Sequence, residues 1–131
     1  VYWLAVRLAP NALMGLFVPR PVLSTLTPSE RRFVIENAFE AALPISRRSA
    51  GVFFDNAVST PSVDSIPFER ITTPALIVHA VDDPASPIAG ARAMAARIAD
   101  SELLALDGGH LLLRRGSDVR RAVAAFMTGR E

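Results

Sequence analysis

The sequence has 131 residues, of which 50% are hydrophobic, with no cysteine and a formal net charge of +1. This length suits one small domain or a part of a larger one. Without cysteine, these residues offer no disulfide, no thiolate metal ligand and no cysteine nucleophile. The arginines are scattered and form no dense basic block, which argues against a nucleic-acid partner.

The apolar content is high for a chain of this length, with a mean hydropathy of +0.30. A short chain has a large surface for its volume, so it buries this much apolar surface poorly by itself. The sequence also opens on Val1-Tyr2-Trp3-Leu4, without an initiator Met. We therefore expect a part of a larger protein, whose exposed apolar surface faces a missing portion or promotes self-association. The alternative is a compact domain rich in Ala and Leu.

Residues 1–18 are apolar, but Arg7, Pro10 and Asn11 interrupt them. They contain no run of about 20 apolar residues that could span a bilayer. They also lack the small-residue cleavage site that ends a signal peptide. This pattern favours two short helices over a membrane segment. A cytoplasmic location is expected, and an N-terminal targeting signal stays open as the alternative if the chain is part of a larger protein.

The clearest helix start in the first half is at residues 27–30, TPSE. Thr27 suits the N-cap position and Glu30 completes a capping box. Apolar residues at helical spacing follow, and Pro44 is expected to end the helix.

The pattern is less regular from Pro44 onward. Residues 47–56 predict a further short helix, whereas residues 57–67, rich in Ser and Pro, predict an irregular connection. Trp3, Phe53 and Phe54 are expected to pack within this helical part. The alternative is that they line a substrate cavity.

Strands alternate with helices in the second half of the chain. Residues 75–79 (ALIVH) and 102–106 (ELLAL) are short, largely apolar runs, typical of strands in a buried parallel sheet. Ser86 and Ser117 precede amphipathic segments and are expected to cap two helices. The second half is therefore predicted to be a β–α–β–α unit of an α/β fold. Two strands cannot complete such a sheet, so neighbouring strands are expected elsewhere.

Two polar residues lie just past the ends of the predicted strands. Asp83 belongs to the turn at residues 80–84 (AVDDP), and His110 follows Gly108-Gly109. Open α/β sheets carry their catalytic groups at the carboxyl ends of strands, so neighbouring strands would bring this pair to one rim. A carboxylate there accepts the imidazole N–H and stabilises the imidazolium that forms when His acts as a base. Taken singly, an Asp in a turn is more often a structural residue.

Residues 71–84 (ITTPALIVHAVDDP) resemble the segment of α/β-hydrolases that leads to the catalytic acid. Residues 108–111 (GGHL) resemble the loop that presents the catalytic histidine, and the order of acid before histidine agrees with this family. The resemblance is specific over residues 68–127. It implies that residues 68–131 form the C-terminal part of the hydrolase core. Residues 1–67 resemble, more loosely, the helical cap, or lid, that many members insert before this segment.

The resemblance implies that Asp83 is the acid of a catalytic triad and that His110 is its general base, with Asp82 as the second choice for the acid. Ala80 stands where many members have Gly, which is a mild change in a tight loop. The implied reaction is cleavage of an ester, or a related bond, in a small apolar substrate. The sequence has no metal-ligand spacing and no Gly-rich phosphate loop, so we expect neither metal nor cofactor.

The nucleophile of the triad is missing from the sequence. None of the 7 glycines flanks a serine in the G-x-S-x-G pattern of the nucleophile elbow. Five serines are candidates by composition only: Ser24, Ser46, Ser49, Ser59 and Ser86. We therefore expect the chain to be inactive by itself. Two other hypotheses stay open, namely a non-catalytic hydrolase-like module that binds a small ligand, and a truncated fragment with no independent function.

Overall fold

The computed structural model describes residues 2–129. Within that range the α-helices are α1 (Tyr2–Leu8), α2 (Pro10–Met14), α3 (Arg20–Thr25), α4 (Pro28–Val34), α5 (Ser49–Phe54), α6 (Thr60–Ser62), α7 (Ile88–Arg97) and α8 (Gly116–Thr128), and the strands are β1 (Ala75–Ala80) and β2 (Ser101–Leu106). The chain divides into two compact units. The first consists of Val1–Gly15 with Ser24–Ile66, and the second of Leu16–Leu23 with Pro67–Glu131.

The first unit begins with α1 and α2, which confirms the two short helices predicted for this stretch. Pro10 stands at the first position of α2, where a missing N–H costs nothing. Val6 and Met14 are buried, and the Tyr2 hydroxyl donates to the carbonyl of Phe39 at 3.2 Å. None of the helices within residues 2–129 has the length and apolar character that a bilayer span requires.

The start of α4 has the predicted capping box. The amide of Thr27 donates to Glu30 Oε2 at 2.8 Å, and the amide of Glu30 donates to Thr27 Oγ1 at 3.3 Å. Beyond α4 the chain stays helical but widens into a π-helix at Ile35–Phe39 and then tightens into a 3-10 turn at Glu40–Ala42. The helical pattern therefore runs almost to Pro44, with Val34 and Phe39 buried.

The irregular connection predicted for residues 57–67 is wrong, because most of this segment is helical. Side chains satisfy backbone carbonyls here, so the polar composition supports the turns instead of breaking them. Thr60 Oγ1 donates to the carbonyl of Asp55 at 2.8 Å, and Ser65 Oγ donates to the carbonyl of Ser62 at 2.7 Å. Helical structure begins two residues before the predicted start at residue 47. The segments in order are a 3-10 turn at Ile45–Arg48, α5, a π-helix at Asp55–Ser59, α6 and a 3-10 turn at Val63–Ser65.

The expected packing of the aromatic residues in this unit is also wrong. Trp3, Phe53 and Phe54 are 52%, 71% and 56% exposed. Every residue from 46 to 67 is exposed, because these short helical turns contact mainly one another along the chain. The first unit thus presents apolar side chains to its surroundings.

The second unit contains the predicted order of strand, helix, strand and helix. β1 and β2 pair in parallel, with Ala75 opposite Ser101 and Ala80 opposite Leu106. The helix α7 packs on both strands and buries Ala91, while α8 contacts β1. β1 is half-buried along most of its length and not buried on both faces as its composition predicted.

The predicted serine caps are wrong at both helices of this unit. The helix α7 begins after Pro87 and α8 begins after Arg115, and neither start has a side-chain cap hydrogen bond. Ser86 belongs instead to the turn of Asp83, since its amide donates to Asp83 Oδ1 at 2.9 Å. In the first turn of α8, the carboxylate of Asp118 forms an ion pair with Arg121 at 2.6 Å and caps no backbone amide.

Candidate active site

The structure brings the two predicted site residues together at one edge of the strand pair. Asp83 follows the end of β1 and His110 follows the end of β2, and these strand ends lie opposite each other in the parallel register. Nδ1 of His110 lies 2.8 Å from Oδ2 of Asp83. This is a hydrogen-bonding distance between two side chains that the chain order separates by a whole helix and strand.

The second oxygen of Asp83 is also fixed. Its Oδ1 accepts hydrogen bonds from the amide of Ala85 at 2.8 Å and from the amide of Ser86 at 2.9 Å. These two amides set the plane of the carboxylate and aim Oδ2 at the imidazole. The Asp83 side chain is only 4% exposed, whereas the His110 side chain is 43% exposed. The carboxylate is therefore enclosed while the ring remains accessible.

Opposing effects act on the protonation of Asp83. Burial by itself would raise the pKa of Asp83, because it disfavours the charged form. The amide of Ser86, the ring of His110 and the amide of Ala85 favour the charged form, and together they hold the pKa of Asp83 below its ordinary value. An ionised carboxylate only accepts hydrogen bonds, so Nδ1 of His110 must carry the proton in this pair. In the neutral ring, Nε2 is then the basic nitrogen.

A tight glycine turn presents His110. Gly108 and Gly109 are buried and have φ angles of +113° and +67°. A Cβ on Gly109 would lie 2.7 Å from Pro19 Cδ, and one on Gly108 would lie 2.8 Å from the carbonyl oxygen of Leu113. Both positions therefore require glycine, for backbone conformation and for space.

Phe17 supports the same turn from a segment remote in sequence. Its carbonyl accepts the amide of His110 at 2.8 Å, and the two rings lie 5.7 Å apart at 51°. The sequence predicted no role for Phe17, because no local motif indicates a hydrogen bond between residues as far apart in the chain as Phe17 and His110. The placement of Leu16–Leu23 in the second unit is what brings this carbonyl to the histidine.

Asp82, the second choice for the acid, points elsewhere. Its Oδ1 accepts the amide of Gly109 at 3.0 Å and its Oδ2 accepts the amide of Gly108 at 3.3 Å. Of the two neighbouring aspartates, Asp83 contacts the histidine ring and Asp82 contacts the backbone of the histidine turn.

Other residues considered from the sequence lie apart from this pair or have structural partners. Nδ1 of His79 is 2.9 Å from the carbonyl oxygen of Ala80. Ser86 is the one candidate serine in the second unit, and its amide binds Asp83. Within residues 2–129, no three His, Asp or Glu side chains are grouped to bind a metal ion.

A groove of about 300 Å³ lies between β2 and α8, and neither Asp83 nor His110 lines it. Its walls are mainly apolar and come from the middle of the strands and the end of the helix: Leu76, Glu102, Leu103, Leu104, Ala122, Ala125, Phe126 and Gly129. The site at the carboxyl edge is therefore a separate feature of this unit.

Comparison with known proteins gives a family assignment. The family described as TAP-like protein, a member of the α/β-hydrolase clan, matches residues 54–130, which is more than half of the chain. The match includes both strands, α7, α8 and the turns of Asp83 and His110, and it begins within the segment expected to form the cap. No curated protein and no solved structure gives a significant match. The chain therefore belongs to the TAP-like protein family of α/β-hydrolases.

Proposed function

We propose that this chain supplies the acid and the general base of a hydrolase that works through a nucleophile–His–Asp triad. The observation that carries the proposal is the 2.8 Å contact between Asp83 Oδ2 and His110 Nδ1 at the carboxyl edge of a parallel strand pair. Membership of an α/β-hydrolase family supports hydrolytic chemistry at this place in the fold.

In the proposed reaction, Nε2 of His110 removes the proton from a nucleophilic hydroxyl as its oxygen attacks the carbonyl carbon of an ester. The imidazolium then gives this proton to the leaving alkoxide when the C–O bond breaks. A water molecule, deprotonated by the same nitrogen, then attacks the acyl carbon, and the imidazolium returns its proton to the nucleophile oxygen as the bond between them breaks and the acid product leaves. Asp83 stabilises the imidazolium throughout, and its two backbone hydrogen bonds keep it in place without reorganisation.

The nucleophile of this reaction is proposed to come from outside these 131 residues. The sequence contains no G-x-S-x-G motif, and the strained strand-to-helix turn that exposes a catalytic serine depends on those glycines. The chain by itself is accordingly expected to show no triad turnover. A fluorophosphonate probe should leave its serines unlabelled, as read by mass spectrometry, and a label on any of them would contradict this part of the proposal.

The substrate is proposed to be a small apolar ester, with residues 1–67 acting as the cap. Support comes from the exposed aromatic side chains of α5, in which Phe53 and Phe54 are 71% and 56% exposed. Apolar side chains of this kind could cover an apolar substrate and exclude water from the reacting ester. In the isolated chain the same exposed surface is expected to favour self-association.

The test is ester hydrolysis by the product of the longest reading frame that contains this sequence. With p-nitrophenyl esters as substrates, Asp83→Asn should lower kcat by about 10⁴-fold, as loss of a triad acid does elsewhere. His110→Ala should be at least as damaging. The matched control is Asp107→Asn, which removes an exposed carboxylate that pairs with Arg115 beside the same turn.

Unchanged kcat in both the Asp83 and His110 variants would overturn the proposed triad roles. If the wild-type product hydrolyses none of the esters but binds them, the non-catalytic binding module becomes the better description. A large loss in Asp83→Asn and His110→Ala, with Asp107→Asn close to wild type, is the result that the geometry of the site supports.

A further inference from the structure

Asp82 holds the backbone of the turn that carries His110. Both of its carboxylate oxygens are used, one by the amide of Gly109 at 3.0 Å and the other by the amide of Gly108 at 3.3 Å. Hydrogen bonds to an ionised carboxylate are stronger than neutral ones. A single side chain after β1 therefore binds two consecutive amides after β2.

These two amides have a particular need for an acceptor. Gly108 and Gly109 are buried, and their carbonyls already accept the amides of Leu113 and Leu112 within the turn. Their own N–H groups point away from that turn, toward Asp82. A buried amide without an acceptor is costly, so removing the carboxylate would favour another conformation of the turn.

The adjacent His110 is fixed at two further atoms. Its amide donates to the carbonyl of Phe17 at 2.8 Å, and its ring lies against Asp83. Asp82 therefore acts on the two residues that precede the histidine, while Phe17 and Asp83 act on the histidine itself. The position of the His110 ring therefore depends on contacts that also join the end of β1 to the turn after β2.

We infer that Asp82 is a positioning residue, which fixes the His110 turn through the amides of Gly108 and Gly109 and so sets where Nδ1 meets Asp83. Its importance for catalysis rests on the role proposed for His110 above, but its effect on the turn does not. The two neighbouring aspartates thus have different roles, since Asp82 binds the backbone of the turn and Asp83 binds the histidine ring.

The primary test is amide hydrogen exchange at Gly108 and Gly109, measured by NMR on the 131-residue chain. Asp82→Ala should raise the exchange rate at both glycines by about tenfold or more, because each loses a charge-assisted hydrogen bond. Asp82→Asn keeps one acceptor oxygen and should give a smaller increase at one of them. Asp107→Asn is the matched control, and it should leave the protection factors of both amides unchanged once the different intrinsic rate of Gly108 after Asn is taken into account, because the Asp107 carboxylate binds Arg115.

A second readout follows the Nδ1–H proton of His110 in the same samples. This resonance should weaken or broaden in Asp82→Ala, and Asp82→Asn should recover part of it. A role limited to overall stability would not produce this graded effect while circular dichroism shows the same helix content. If Asp82→Ala does not fold, Asp82→Asn decides the matter, since it preserves the volume of the side chain.

The outcomes separate this inference from the proposed function. If Gly108 and Gly109 exchange at the same rates in wild type and in the Asp82 variants, the positioning role is overturned. If the wild-type chain in that same experiment still shows a proton on Nδ1 of His110, the triad assignment stands. If the glycines respond but wild-type His110 has no proton on Nδ1, the hold on the turn stands and the triad assignment fails.

Discussion

Replacing Gly109 by alanine should destabilise the second unit strongly for a change of one methyl group. Gly109 has a φ of +67°, in the left-handed region, and this conformation costs an alanine about 1–2 kcal/mol. The added Cβ would also lie 2.7 Å from Pro19 Cδ and 2.8 Å from the carbonyl oxygen of Phe17. Overpacking of this kind costs about 1–3 kcal/mol, because Phe17 must move while its carbonyl binds His110.

One effect acts in the opposite direction. Alanine restricts the unfolded chain more than glycine does, which stabilises a protein by about 0.4–1 kcal/mol where the native backbone tolerates it. Subtracting this gain leaves an expected net loss of about 1–5 kcal/mol in the free energy of unfolding for Gly109→Ala. The conformational and steric costs therefore outweigh the entropic gain.

Gly90→Ala is the matched control in the same unit. Gly90 lies in α7, and a Cβ there would meet no atom within 4 Å. Alanine is the better helix former by about 0.5–1 kcal/mol, so this variant should be more stable than wild type. Urea denaturation followed by circular dichroism measures both changes, and the two variants should shift the midpoint in opposite directions.

The comparison has a clear failing result. A Gly109→Ala chain that unfolds within about 0.5 kcal/mol of wild type, the range of an ordinary surface change, would show that the turn is not held in this conformation. The Phe17 and Asp82 contacts would then lose their structural basis. A stabilised Gly90→Ala alongside it would exclude a general insensitivity of the assay.

Further predictions concern the helix cap and the ionisation of the site. Thr27→Ala should lower the free energy of unfolding by about 1 kcal/mol in urea titrations, whereas Thr27→Ser should retain the capping box with Glu30. His110→Ala should raise the pKa of Asp83, observed through its carboxyl ¹³C shift, because the ring helps to favour the charged form. The pKa of Asp83 in the folded chain lies below its unfolded value of about 3.9. The free energy of unfolding of wild type should therefore exceed that of Asp83→Asn by the largest amount above this unfolded value, and the difference should shrink as the pH falls through the folded-state pKa. A difference that is the same at every pH would contradict this.

Local patterns were sufficient to predict the strand–helix order and the capping box. The apolar runs around Ile77 and Leu104 indicate strands because so few polar residues interrupt them, and Thr27 with Glu30 satisfies helix amides within one turn. The proximity of Asp83 and His110 followed from topology, since parallel neighbours place their carboxyl ends at the same edge.

Local sequence patterns do not predict contacts between segments that are distant in the chain. Asp82 was predicted only as the second choice for the acid, because the sequence gives no indication that two glycine amides in a later loop need an acceptor. The carbonyl of Phe17 is a backbone group, and any residue type could supply it. Ser86 is a residue type that commonly caps helices, yet here its amide donates a hydrogen bond to Asp83. In each case a partner that is remote in sequence, or a stronger acceptor nearby, decided the outcome.

The most direct measurement of the central claim is the ring tautomer of His110 in the 131-residue chain, from the ¹⁵N shifts of Nδ1 and Nε2. The chain has only 2 histidines, so His110 can be assigned by comparison with a His79 variant. We expect the neutral ring to carry its proton on Nδ1 in wild type and to lose this preference in Asp83→Ala. A wild-type ring protonated at Nε2, with Nδ1 bare, would contradict the role of Asp83 as the acid that orients a catalytic base.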